Sequence, residues 1–179
     1  MNEKGAPRTL VLALGNPIRS DDGVGMAALE YLGEDPRMPG AVELVEGGTK
    51  GLELVSYLSG VSRLLVLDAV DTSAVAGTIV RLQGTELGSL PGNGNVHDLA
   101  LADILNALRL LAKEPVEIVL LGIQPETTEL GTFLSKSVES SLPLLVEAAI
   151  AQVSLWVSGQ AARSCDAGEL AGVGLARQQ

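Results

Sequence analysis

The sequence predicts an α/β protein: a mostly parallel sheet with helices on both faces. Three observations lead there. Short apolar runs alternate with amphipathic stretches along most of the chain. Hydrophobic residues make up 46% of it but aromatics only 2%, so the core must be built from Leu, Val, Ile and Ala. The apolar runs end in glycine-bearing turns, as strands buried on both faces of a parallel sheet do. At 179 residues the chain fits one domain better than two.

The elements follow in order. RTLVLALG, from Arg8 to Gly15, reads as a buried strand closed by glycine. Asp22 to Leu32 has helical spacing, with Val24, Ala27, Ala28 and Tyr31 on one face. VELVEGG from Val42 is a second strand and GLELVSYL from Gly51 a second helix. RLLVLDAV from Arg63 is the strongest strand signal in the chain. GTIVRLQ from Gly77 is a further strand, with room for only a short connection before it. Asp98 to Leu111 is a helix with Leu101, Ile104, Leu105 and Leu108 as its buried stripe. VEIVLLGIQ from Val116 is the last strand, and Ser135 to Val157 a long closing helix. Beyond Trp156 the chain turns to Gly, Ala, Ser and Arg without periodicity. Residues 1–157 are therefore expected to form the domain and 158–179 a mobile C-terminal tail.

Composition narrows the function classes. A formal charge of -10 repels phosphate backbones, and the scarcity of aromatics leaves few stacking platforms, so no nucleic-acid partner is expected. The apolar stretch from Leu142 is interrupted by Glu147 and Gln152 and falls short of the ~20 residues a bilayer span needs, so no membrane association is expected. The single cysteine, Cys165, forms no internal disulfide, and the N-terminus carries no signal-peptide run. A cytoplasmic location is expected.

In an open parallel sheet, chemistry gathers at the carboxyl ends of the strands. Three segments place polar residues there. GNPIRSDDGVG, Gly15 to Gly25, joins a strand to a helix. It is no dinucleotide loop, because Asp21 and Asp22 would repel a pyrophosphate at the helix start. Its bland alternative is Ser20 or Asp21 as an N-cap, with Asp22 complementing the helix dipole. Asp68 ends a strongly apolar strand, where an unpaired carboxylate is costly, so it should face a cleft, a metal or a hydrogen-bond network. Its alternative is a cap in the following turn. His97 is the only histidine and stands just ahead of a helix. A lone histidine is more often structural, yet neutral imidazole is a common metal ligand. Asp22, Asp68 and His97 would share one sheet edge. One nitrogen and two carboxylates make a site with open coordination positions, suited to a borderline divalent metal. HExxH and GxSxG are missing, and Cys165 lies outside the expected core, so hydrolysis would be metal- or carboxylate-assisted.

Five segments together resemble the hydrogenase maturation proteases: GNPIRSDDGVG, EGGTKGLEL from Glu46, LLVLDAV around Asp68, NVHDLALADIL around His97 and GIQPE from Gly122. They stand in the family's order and spacing, from roughly Leu10 to Ala149. The resemblance implies a three-layer α/β/α sandwich around a five-stranded, mostly parallel sheet. It implies an endopeptidase that removes the C-terminal extension of a nickel–iron hydrogenase large-subunit precursor after nickel insertion. The family's metal contacts fall on Asp22, Asp68 and His97, the two aspartates acting catalytically through the metal. The family's glycine turn falls on Gly47 and Gly48, implying a substrate-binding or cleft-shaping role. The resemblance implies that the metal is nickel carried by the substrate, with no organic cofactor. Two other classes share some of these features. A nickel-sensing assembly chaperone would use the same three residues without cutting. A nucleotide-binding α/β module would need a glycine-rich loop free of acids.

Overall fold

The computed structural model describes residues 7–89 and 96–169. Among these residues, nine strands and α-helices follow one another: β1 (Arg8–Leu14), α1 (Val24–Glu34), β2 (Val42–Gly48), α2 (Leu54–Leu58), β3 (Val61–Ala69), β4 (Ile79–Gln83), α3 (Val96–Leu110), β5 (Glu117–Ile123) and α4 (Lys136–Glu169). Short 3-10 turns, Ser20–Gly23 and Gly51–Glu53, lead into α1 and α2. The five strands form one sheet in the order β2-β1-β3-β5-β4.

β1, β2, β3 and β5 run parallel, and β4 pairs antiparallel with β5. The reversal of β4 follows from its connection. A parallel neighbour needs a crossover of about a dozen residues or more. The link from Val70 to Thr78 is shorter than that, so the chain re-enters the sheet from the edge at which β3 left it.

Period-2 alternation divides the aliphatic residues between two cores. Val11, Ala13, Leu65, Leu67, Val119 and Leu121 face α1 and α4. Leu10, Leu12, Leu64, Val66 and Leu120 face α2 and α3. The expected stripe of α3, Leu101, Ile104, Leu105 and Leu108, is buried against the second core. In α1 the expected face was rotated: Val24 and Ala28 are buried, but Tyr31 is 59% exposed and Leu29 and Leu32 take the core positions. The tyrosine keeps its hydroxyl in water while two leucines bury their whole side chains, which is the lower-energy choice.

α4 is long and apolar enough over 136–159 to cross a bilayer by length and composition alone. Its stripe of Val138, Leu142, Leu145, Ala149, Val153 and Trp156 instead packs into the first core. At its far end, Arg63 donates to the Trp156 carbonyl at 2.6 Å and the Trp156 indole donates to Glu117 at 2.7 Å. The helix continues beyond the expected end at Val157 to Glu169. Ala, Gln, Ser and Arg all tolerate helix, and the glycines at 159 and 168 do not stop it before Glu169.

Candidate functional site

The carboxyl ends of β1, β2 and β3 meet at one edge, and the expected site residues are distributed around it. β1 stops at Gly15, whose φ of +115° is open only to glycine. A Cβ there would stand 1.9 Å from the Asp22 carbonyl oxygen and 3.7 Å from Asp68 Oδ1. The Asp22 backbone and the Asp68 carboxylate therefore close on the same turn from two directions. Asn16 N–H donates to both the Asp22 carbonyl, at 3.2 Å, and Asp22 Oδ2, at 3.0 Å. Gly15→Ala combines a disallowed backbone with a main-chain collision. It is expected to destabilise the protein by about 3 kcal/mol. An unchanged midpoint in urea unfolding would contradict this geometry.

Asp68 is the penultimate residue of β3 and 2% exposed. Its Oδ1 accepts the Ala69 N–H at 2.8 Å. Since Val66 and Val70 belong to the second core and Leu67 and Ala69 to the first, Asp68 takes the α2/α3 side of the sheet. The backbone of His97 lies in the first turn of α3, the helix that covers that side. α3 has 15 residues, which is ~22 Å and matches the height of the sheet. Its last turn is fixed at the amino edge, where Lys113 N–H bonds to the Leu108 carbonyl and Val116 N–H to the Ser62 carbonyl. Its first turn accordingly stands at the carboxyl edge, and the helix as a whole contacts the Gly51–Glu53 turn. The His97 side chain lies outside the described residues. Among those that are described, no group of three or more acidic, histidine or cysteine side chains is close enough to hold a metal ion.

Gly47 and Gly48 end β2 beside this turn. Gly48 pairs with Leu14, has φ +53° and accepts the Gly15 N–H at 3.3 Å. Gly47 is buried under β1, and Gly48 is half-buried.

Asp21 and Asp22 have separate tasks. Neither Ser20 nor Asp21 caps a helix: Arg19 precedes the 3-10 turn and Gly23 precedes α1, both without a side-chain cap. Asp21 is 0% exposed. Its Oδ2 accepts N–H groups from Glu126 at 2.8 Å and Thr127 at 3.1 Å, and its Oδ1 accepts the Ser135 N–H at 2.6 Å. It thus holds the segment between β5 and α4 against the start of α1. The Arg19–Gly131 bridge and the Ser20 hydroxyl on the Glu129 carbonyl fasten the same two loops. Asp22, 4% exposed, turns the other way, toward Asn16.

Gln124 is an organising residue that sequence reasoning missed. Its side-chain oxygen accepts from the backbone N–H groups of Thr72 and Ala74 and from the Thr72 hydroxyl, and its amide donates to Asp71. The Ser73 N–H, and then the Gln124 amide, hold the Asp71 carboxyl below its usual value. The loop after β3 is thereby fixed to the end of β5. The sequence signals for it were a glutamine directly after an apolar strand and its place in the GIQPE segment.

Comparison with known proteins gives a consistent result. The family model described as hydrogenase maturation protease matches residues 26–152. The chain is 33% identical over 174 residues to the hydrogenase expression/formation protein HoxM of Azotobacter vinelandii, covering 96% of this chain and 84% of that protein. It is 34% identical over 148 residues to the hydrogenase 2 maturation protease of Escherichia coli, covering 82% and 88% respectively. Among solved structures it resembles the Escherichia coli hydrogenase maturating endopeptidase HybD, with a TM-score of 0.78 at 32% identity over 82% of this chain and 92% of that one. The HybD maturation protease of Thermococcus kodakarensis aligns with a TM-score of 0.66 at 29% identity, over 79% of this chain and 96% of that one.

Proposed function

The chain belongs to the hydrogenase maturation protease family, and from that premise we propose that this endopeptidase removes the C-terminal extension of a nickel–iron hydrogenase large-subunit precursor, using the nickel already inserted in that substrate for recognition. The observation that carries the site assignment is the Gly15 turn. It packs against the Asp22 backbone and the Asp68 carboxylate, on a sheet edge that the first turn of α3 also reaches. Asp22, Asp68 and His97 are the residues assigned to the nickel.

Two carboxylates and one imidazole leave coordination positions for donors supplied by the substrate, as a metal shared between two proteins requires. Bound in this way, nickel would supply Lewis acidity at the scissile carbonyl or lower the pKa of an attacking water. The chain's own contribution is positional. The Asn16 amide holds the Asp22 carboxylate, the Ala69 amide holds that of Asp68, and Gly47–Gly48 shape the cleft beside them. The same Asn16 amide would have to be open in a phosphate-binding loop, and here it is taken. The expected compartment is the cytosol.

The test is conversion of purified precursor to its shorter form, followed by mass spectrometry, with and without inserted nickel. Cleavage of the nickel-loaded form alone is expected. Equal cleavage of both forms would refute nickel recognition, and cleavage of neither would refute the processing role.

A further inference from the structure

We infer that the groove between α1 and the outer edge of β2 binds the substrate's extension as an extended, positively charged segment of about five residues. This rests on the processing role proposed above and says where, and by what chemistry, the substrate chain lies.

The groove encloses about 730 Å3, within the ~300–1,000 Å3 typical of ligand sites. One wall is the half-exposed side of α1, with Met26, Glu30 and Glu34; the other is β2, with Leu44 and Glu46; Leu134 closes the end toward α4. The groove begins at Pro17, Ser20 and Gly23, in the loop that carries Asp22. Its upper end therefore stands at the carboxyl edge of the sheet, the edge at which Asp22 and Asp68 also lie.

Two features specify the occupant. First, β2 is an edge strand: among the described residues no strand lies on its outer side. Alternate N–H and C=O groups along such an edge can pair with an added extended chain, which is how many proteins capture peptides. Secondly, the groove's ionisable lining is Glu30, Glu34 and Glu46, with no Lys, Arg or His. The nearby Lys50 ammonium is engaged with the Glu46 carbonyl at 3.0 Å. Glu30 and Glu34 stand one helical turn apart on one face of α1, where like charges repel. A Lys or Arg side chain between them relieves that repulsion, while its aliphatic stem covers Met26 and Leu44. α1 has 11 residues and is ~16 Å long, the reach of about five extended residues.

The deciding experiment uses Glu30→Lys/Glu34→Lys, both on the exposed side of α1, with nickel-loaded precursor as substrate. KM is expected to rise about tenfold with kcat nearly unchanged, and the salt dependence of KM seen in the wild type should flatten. Asp103→Lys, a single acid-to-lysine reversal on α3 across the sheet and so half the charge change of the double variant, should leave KM unaltered. An unchanged KM in the double variant, or an equal rise with Asp103→Lys, overturns the inference. A binding measurement separates this from the parent reading. Titration with an acetylated pentalysine peptide should shift the backbone amide resonances of Leu44 and Glu46 in the wild type and not in the double variant. If the wild type fails to cut, the processing role fails while the groove is still judged by those shifts. If the shifts are absent, the groove assignment fails whatever the protease does.

Discussion

Replacing His97 by alanine is expected to slow cleavage of nickel-loaded precursor by at least about 100-fold while leaving the protein folded. Loss of groups that merely support metal ligands costs ~10–100-fold, so loss of a ligand itself sets a floor near the top of that range. The fold should survive because α3 is held by Leu101, Ile104, Leu105 and Leu108, all beyond its first turn. Without the imidazole the site keeps two carboxylates, a donor set that favours hard cations over nickel. Asp68→Asn should behave similarly, since it removes a charge from a residue that is almost wholly buried. Asp22→Glu should be milder, because the carboxylate is kept and only its reach changes. The measurement is the fraction of precursor shortened per unit time, with circular dichroism reporting on folding. A folded His97→Ala protein that cuts at the wild-type rate would remove nickel recognition from the mechanism.

The sequence made some of this legible and hid the rest, for reasons that lie in the range of the interactions. Strand runs such as Arg8–Leu14 and Val61–Ala69 are buried on both faces, so their apolar continuity is local and readable. The stripe of α3 was readable because period and burial coincide there. In α1 they do not coincide, since the helix shares its environment between the sheet and α4, and Tyr31 went to the wrong side. The place of β4 beyond β5 follows from a pairing made only after β5 is present, which no local pattern encodes. Asp68 could be singled out because a carboxylate ending an apolar strand is conspicuous. The adjacent Asp21 and Asp22 could not be told apart, because their difference lies in partners: Asn16 for one, and amides more than a hundred residues downstream for the other.

That difference gives the second large effect. Asp21→Asn is expected to lower the melting temperature by about 5–15 °C, with cleavage retained at temperatures where the variant is folded. The native carboxylate accepts three backbone N–H groups with no exposure to solvent. An asparagine side chain has one oxygen. If that oxygen keeps Glu126 and Thr127, its NH2 group meets the Ser135 N–H, donor against donor. Hydrogen bonds to a charged group contribute ~1.5–3 kcal/mol each, and an orphaned buried donor costs ~1–3 kcal/mol. A net loss of about 2–4 kcal/mol follows, and in a domain of this size each kcal/mol moves the midpoint by ~2–4 °C. The loss should appear first as local opening of the segment between β5 and α4, read as faster amide exchange at Glu126, Thr127 and Ser135. Asp22→Asn should show the opposite signature: a smaller change in melting temperature and a larger loss of cleavage. If Asp21→Asn melts like the wild type and fails to cut, then Asp21, not Asp22, is the carboxylate that meets the metal.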